Sequence, residues 1–336
     1  MDNFCVGIKN VKIDRCTIKN WTKLNPYTVF ASPNNKFGKK TCFLMFEVYS
    51  SPIFDSTERK NFSHMQITYS EDANGQSDFR IKHSIRKWFF GKKSTNELTV
   101  FQFIDCIEKL ANTLNLSNEF LMSMKVYKLE FGRTFKLSPS GKRILFNVFE
   151  HSGYKDRINR IKKGSIYLNG INSGIIIYDK LKELKDTETI SRKTYSRLSK
   201  KKTLIRMELK IKKISGVEYA KKNFSTLQDI IYNWDLLLGF WKREMLKITY
   251  IDFLNEKEFK ILSSNSKSNL QQYLILKGVE YLGFDNFLML LDATVVNDKN
   301  RKYKLKKSIL KIIKEMEGHK KNQTQNFVKS LIENSK

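Results

Sequence analysis

The segment from Thr203 to Lys213, TLIRMELKIKK, alternates apolar and polar residues more cleanly than any other stretch of the chain. Ile205, Met207, Leu209 and Ile211 form one row; Arg206, Glu208, Lys210 and Lys212 form the other. A period of two puts these rows on opposite faces of a β-strand, and a slip of one residue would drive every apolar side chain into water. The chain is thereby committed to a sheet with one buried and one polar face, the habit of antiparallel sheets. The surroundings are basic: Arg192 to Lys222 holds twelve Lys or Arg and two acids. Glu208 is the lone acid of the polar row, and it either relieves repulsion among its neighbours or faces a ligand.

Further strands are expected to join it. NVKIDRCTI reads as a strand with Val11 and Ile13 inward and Lys12 and Asp14 on the other face. TCFLMFEVYS at 41–50 is apolar enough for the middle of a sheet. HMQITYS and, after the turn signal EDANGQSD, FRIKHSIRKW read as a hairpin. In its second strand Phe79, Ile81, His83 and Ile85 share the apolar face, which makes His83 a core histidine. KVYKLEFGRTF places Lys128 and Glu130 opposite Tyr127, Leu129 and Phe131. SIYLNG and GIIIYDK, joined by NGINSG, form another hairpin. The prolines of NPYTVFASPNNKFGKK mark a loop.

Helical spacing appears in two places. Val100, Phe103, Ile104, Ile107, Leu110, Ala111 and Leu114 would cover the sheet. From Phe224 onward the period is helical throughout, opening with a capping box from Ser225 to Gln228 and repeating Leu227, Ile230, Ile231, Trp234, Leu238, Trp241 and Met245. A later helix sets Leu305, Ile309, Ile313 and Met316 against lysines, and the terminal KKNQTQNFVKSLIENSK reads as a fraying tail. The expectation is an α+β fold: an antiparallel sheet with covering helices over residues 1–215, then a helical, basic, DNA-binding region over 216–336.

Composition bounds the partners. Sixty-two Lys and Arg against thirty-four Asp and Glu leave +28, which attracts polyanions. Lysine excess also follows A/T-rich coding, but fourteen Tyr, twenty-four Phe and four Trp offer faces on which bases can stack. Cys5, Cys16, Cys42 and Cys106 lack zinc or disulfide spacing, so a reducing compartment is expected. With no signal-peptide pattern and no apolar run long enough to span a bilayer, the chain reads as soluble and cytoplasmic, without a membrane partner. GxxxxGK[ST] and GxGxxG are absent from the sequence, which argues against an ATP-driven motor or a dinucleotide enzyme. His64, His83, His151 and His319 form no H-x-H or H-x-x-x-H pair, and His151 is a weak metal candidate.

The chemistry concentrates in GIIIYDKLKE, Gly174 to Glu183. As a strand it sets Tyr178 beside Lys180 and turns Asp179 away; the ammonium would favour the phenolate and can hold a phosphate. Tyrosine can form a covalent enzyme intermediate. If this strand neighbours those of Glu130 and Glu208, two carboxylates converge on one phenol. Oxygen ligands of that kind suit Mg²⁺ or Mn²⁺, which would polarise a phosphodiester for attack.

These residues resemble the phage and plasmid replication initiators of the filamentous-phage gene II/X kind. KVYKLEFGRTF is similar to that family's LEFG strand, GIIIYDKLKE to its IYDK motif, and LIRMELKIKKISGVEYAKKNFSTLQDIIYNWD to its R-x-E-x-K strand with the following Leu-rich helix. The likeness spans roughly residues 80 to 245, in order. It implies a metal-dependent nickase that opens rolling-circle replication at an origin, keeps the 5′ end as a phosphotyrosine and leaves a 3′-hydroxyl for a host polymerase. Tyr178 then matches the nucleophile, Glu130 and Glu208 the metal-binding acids, and Lys180 and Arg206 the cations at the scissile phosphate. Lys210 and Lys212 extend the DNA-binding row, and Asp14 is a third metal ligand placed only by its strand face. Implied partners are single-stranded and duplex origin DNA, host polymerase and helicase, and a possible second copy as a homodimer. The sequence departs from the family pattern where Arg133 and Thr134 replace a small apolar residue and Asn, and where His83 replaces Gly. The competing reading is a non-catalytic protein that grips an origin or operator; RNA binding on an open sheet lacks the aromatic pattern it needs.

Overall fold

A computed structural model describes residues 3–24, 29–30, 40–50, 63–72, 74–92, 94–154, 165–250, 267–282, 284–294, 298–317 and 323–335. The α+β expectation holds. Its centre is an antiparallel nine-stranded sheet in the order β2-β3-β4-β5-β1-β6-β10-β9-β8. The strands are β1 (Asn3–Lys9), β2 (Val29–Phe30), β3 (Lys40–Tyr49), β4 (His64–Asp72), β5 (Ser77–His83), β6 (Lys125–Leu137), β8 (Ser165–Asn169), β9 (Ser173–Asp179) and β10 (Thr203–Ile211). A separate ribbon pairs β7 (Val148–His151) with β11 (Ile248–Tyr250).

Alternation decides which face is covered. Phe4, Val6, Phe46, Ile67, Phe79, Ile81, Leu129, Phe131, Ile177, Ile205 and Met207 are buried in one continuous core. Helices α1 (Arg15–Leu24), α3 (Val100–Leu114) and α10 (Trp234–Leu246) close over it. Trp21 stacks on Phe79 and donates from Nε1 to the Leu114 carbonyl at 2.6 Å, tying α1 to α3. Trp234 lies between Phe103 and Phe131, and Trp241 stacks on Phe135 while donating to the Met207 carbonyl. The other face of β1, β5, β6, β10 and β9 carries Cys5, Lys82, Lys128, Glu130, Glu208 and Tyr178.

Several local expectations change. Residues 10–18 are not a strand: β1 ends at Lys9, and α1 begins at Arg15 because Asp14 caps it, accepting from the Cys16 and Thr17 amides and the Thr17 hydroxyl. The strand expected over residues 79–88 stops at His83, where φ of 109° breaks the ladder; Ser84 then caps α2 (Ile85–Phe90). The capping box lies one residue later than read, between Thr226 and Asp229, and the helix it opens, α9 (Leu227–Tyr232), breaks at Asn233 before α10. The loop expected over 25–40 lies outside the described residues apart from β2 and Lys40, as do 155–164 and the side chains of Ile313 and Met316.

Nor does the packing divide at residue 215. Phe224, Leu227, Ile230, Trp234, Trp241 and Met245 belong to the same core as the sheet, and so do Val328 and Ile332 of α14 (Gln323–Glu333). The tail read as frayed is thus a helix with a buried face, and Gln325 holds both the Tyr250 amide and the Ile248 carbonyl of β11. A second, smaller core joins α11 (Lys267–Leu282), α12 (Phe284–Thr294) and α13 (Lys299–Glu317) through Leu276, Val279, Leu288 and Ile309.

Trp241 is fully buried and bridges α10 to β6 and β10. Trp241→Ala is expected to cost about 3–5 kcal/mol of folding stability, the range for deleting a large buried aromatic, read from denaturant unfolding. A loss within experimental error would mean that α10 does not anchor the sheet.

Candidate active site

The three strands carrying the expected residues are consecutive neighbours, β6-β10-β9, and antiparallel. Register then sets the geometry. Arg206 faces Tyr178 across the β10–β9 pair, and Glu208 faces Ile176, so Glu208 and Tyr178 are diagonal neighbours. On the other side Glu208 faces Gly132 and Lys210 faces Glu130. Diagonal side chains on one sheet face lie within reach when they are long. Here the Tyr178 hydroxyl donates to Glu208 Oε1 at 2.8 Å.

Gly132 makes room for this contact. A Cβ at that position would stand 2.7 Å from Glu208 Cγ and 2.8 Å from the Met207 carbonyl oxygen. Glu208 can therefore lie flat across β6 only over a residue without a side chain, which gives the glycine of LEFG a packing role.

Tyr178, Glu208 and Glu130 line one open cavity of about 270 Å³, together with Tyr167, Lys87 and Lys210 among others. Glu208 is held from below by Arg206, whose Nε donates to the same Oε1 at 2.8 Å. Arg206 also pairs with Glu97 and with the Thr134 hydroxyl and is completely buried. It was expected to hold the scissile phosphate; buried and engaged on both sides, it positions Glu208 instead. Lys210 pairs with Glu130 at 3.0 Å; burial pulls its pKa down, but Glu130 and Glu208 outweigh that and leave it raised.

Lys180 is likewise not a strand residue. Asp179 ends β9 and caps α6 (Lys180–Asp186), accepting from the Lys182 amide, and Lys180 opens the helix. Its buried ammonium lies 5.7 Å from the centre of the Tyr178 ring and 2.7 Å from Glu183. Burial lowers the Lys180 pKa against the opposing pull of Glu183, while Glu183, which burial would raise, is held low by Lys180 and Lys87. Glu183 and Lys87 both line the cavity, and Lys87 Nζ is 3.5 Å from Glu183. Sequence reasoning missed Lys87, Glu183 and Glu97. Only the Glu183 spacing, three residues after Lys180 at a strand end, carried a local signal.

Lys212 sits at the margin, donating to Asn169 Oδ1 and the Gly170 carbonyl in the β8–β9 turn. Asp14 lies elsewhere, with both oxygens committed to the α1 cap, and those hydrogen bonds, Thr17 first and then Cys16, lower its pKa. His83 is exposed rather than in the core, 5.2 Å from His64 between ring centres, and its positive φ is one that glycine adopts freely. His151 is buried: its Nδ1 accepts from the Gly153 amide, Nε2 donates to the Glu244 carbonyl, and burial lowers its pKa. It is a structural histidine. Among the described residues no cluster of three or more His, Cys, Asp or Glu could hold a metal. Glu130 and Glu208 are two carboxylates beside hydroxyl and amide oxygens, a donor set that fits a hard cation completed by water and phosphate.

No protein-family model, curated protein or solved structure matches this chain. Among the described residues no helix is long and apolar enough to cross a membrane.

Two outcomes are expected. Gly132→Ala should destabilise the fold by about 1–3 kcal/mol, the usual cost of overpacking, with a lowered thermal midpoint; an unchanged midpoint would show that Glu208 does not need the gap. Asp14 has a folded pKa below its ordinary 3.8, so its stabilising contribution is present above that value and lost as pH falls through the lower folded one. The acid limb of the stability profile should therefore flatten in Asp14→Asn, measured by thermal midpoint against pH, and an unchanged limb would remove the cap from the account.

Proposed function

We propose that this chain is a rolling-circle replication initiator, a site-specific, metal-dependent endonuclease and ligase that nicks one DNA strand at an origin through a 5′-phosphotyrosine. The observation that carries the reading is the Tyr178 hydroxyl hydrogen-bonded to Glu208 in a cavity shared with Glu130. A phenol and two acids from three separate segments meet on the open face of a sheet, where an extended strand of nucleic acid can lie.

In the proposed reaction Tyr178 Oη attacks the scissile phosphorus, the phenolic proton passes to Glu208, and the P–O3′ bond breaks. The departing 3′-oxygen takes up a proton, and the 5′-phosphate stays on Tyr178. In the reverse direction a 3′-hydroxyl attacks the phosphotyrosine, which regenerates the phenol and seals the strand. Glu208 suits the proton transfer because its acceptor oxygen already receives the phenolic hydrogen. Arg206 keeps that oxygen in place, and Lys180 favours the phenolate from the ring side. Lys87 and Lys210 are the cavity cations able to meet the non-bridging oxygens. Glu130 and Glu208 would hold Mg²⁺ or Mn²⁺, which supplies charge stabilisation at the phosphoryl group when bound.

Single-stranded DNA spanning the origin of the encoding replicon, incubated with the protein and Mn²⁺, is expected to give a covalent adduct on denaturing gels. The adduct should vanish in Tyr178→Phe and form about a hundredfold or more slowly in Glu208→Gln. An adduct mapping to Tyr154, Tyr167 or Tyr195 would move the nucleophile. No adduct with any origin strand would leave the non-catalytic DNA-binding protein as the better reading.

A further inference from the structure

The sheet face does not end at the catalytic cavity. Along β6, Lys128 follows Glu130 on the same face, and across the sheet Lys128 is opposite Cys5, which is opposite Lys82. Here the surface opens into a groove of about 1220 Å³, more than four times the cavity beside it. Eight Lys and Arg side chains line it against one carboxylate, Asp78, which is itself bound to Arg80. Lys82, Lys125, Lys128, Lys213 and Lys221 are exposed and make no ion pair among the described residues. A smaller pocket lined by Asn3, Cys5, Lys128 and Glu130 joins groove to cavity.

An irregularity in the sheet places an aromatic ring in this groove. Between β1 and β6 the register slips, so that Cys5 faces Lys128 but Val6 faces Val126, leaving Tyr127 as the extra residue of a β-bulge. Alternation alone would turn Tyr127 to the face opposite Lys128; the bulge re-aims it into the groove beside Lys128. Gly7 is the floor beneath it: a Cβ there would stand 3.0 Å from Tyr127 Cε2 and 2.9 Å from Arg80 Cγ. The Arg80 guanidinium sits 5.5 Å from the ring centre on this surface. A half-exposed ring among unpaired ammonium groups is the arrangement that holds single-stranded nucleic acid, in which bases are free to stack and phosphates are spaced along the backbone.

We propose that this groove seats the single-stranded DNA flanking the scissile phosphate, with a base stacked on Tyr127 and successive phosphates on Lys82, Lys125 and Lys128. The assignment rests on the nicking reading for its choice of DNA. From the Tyr178 row to the Lys128 row is six residues along β6, about 20 Å at ~3.4 Å per residue, a span of a few nucleotides of extended strand. A duplex would not serve, because its bases are already stacked on one another and closed to the ring.

Binding can be measured without chemistry, by fluorescence anisotropy of labelled oligothymidylate and of a labelled duplex against Tyr127→Ala, Tyr127→Phe and Lys82→Ala/Lys128→Ala. Tyr127→Ala should weaken oligothymidylate binding about tenfold and leave duplex binding unchanged, while Tyr127→Phe, which keeps the ring, should bind like wild type. The double lysine variant should reduce the salt slope by about 1.4, at about 0.7 per single-strand phosphate contact. Wild-type thermal midpoints identify variants that retain the fold. If folded groove variants bind oligothymidylate like wild type, the groove assignment is overturned even where Tyr178-dependent adducts form. If Tyr127→Ala weakens duplex equally, the single-strand assignment fails. Groove-dependent binding with no adduct on any origin strand would sustain the groove and overturn the nicking reading alone.

Discussion

A guanidinium with no solvent exposure stands at the centre of this molecule. Removing an arginine charge from water costs several kcal/mol, and Arg206 offsets that cost with Glu97 on one side and Glu208 on the other. Neither carboxylate is free to move without stranding the charge. Glu208 Oε1 accepts from both Arg206 and Tyr178, so the phenol's position is inherited from the ion pair. Glu97 lies two residues before Thr99, the cap of α3. The same cluster thereby ties the entry to a covering helix to the polar face of the sheet.

The chain reaches this arrangement by using its first strand as a seam. β1 lies between β5 and β6 in the sheet, although every strand that pairs with it comes later in sequence. On one side β2 to β5 form a meander; on the other β6, β10, β9 and β8 bring the site together. Non-local pairing of this kind is slow to form, because loop closure must precede the contacts that reward it. What it achieves is a continuous face: groove residues from β1, β4 and β5 sit beside site residues from β6, β9 and β10. Neither half alone would carry both.

Much of this was legible from period and register. β10, β9 and β6 declared themselves by alternation, and the meeting of Tyr178 with Glu208 followed once they were neighbours. The errors share a cause: alternation says nothing about where a strand stops. Asp14 looked like a strand residue because Val11 and Ile13 alternate with it, yet its side chain binds local amides and begins a helix. Lys180 looked like a companion of Tyr178 on a strand, but Asp179 caps a helix at that step. Arg206 was assigned to phosphate because it matches a motif cation of the family the chain resembles. Burial of Arg206 under Glu97 depends on a contact across more than a hundred residues, which no local pattern carries. The bulge that re-aims Tyr127 was invisible for the opposite reason, since an extra residue on one strand shows only against its partner.

The charge of the open face is divided, and the division has consequences for what it can hold. Around Tyr178 four cations are matched by carboxylates: Arg206 by Glu97 and Glu208, Lys210 by Glu130, Lys180 and Lys87 by Glu183. Eight cations against Asp78 surround the groove, by contrast. On the proposed reading a polyanion would be drawn along the face by the groove, where low-dielectric walls focus the field. A phosphate entering the cavity must compete with carboxylates for Lys87 and Lys210. That competition is unfavourable for any phosphate that arrives without a well-seated flanking strand, and it frees Glu130 and Glu183 when one does enter. On the proposed reading, binding and chemistry are set apart by charge pairing on a single sheet, so that backbone attraction alone would not be enough to load the site.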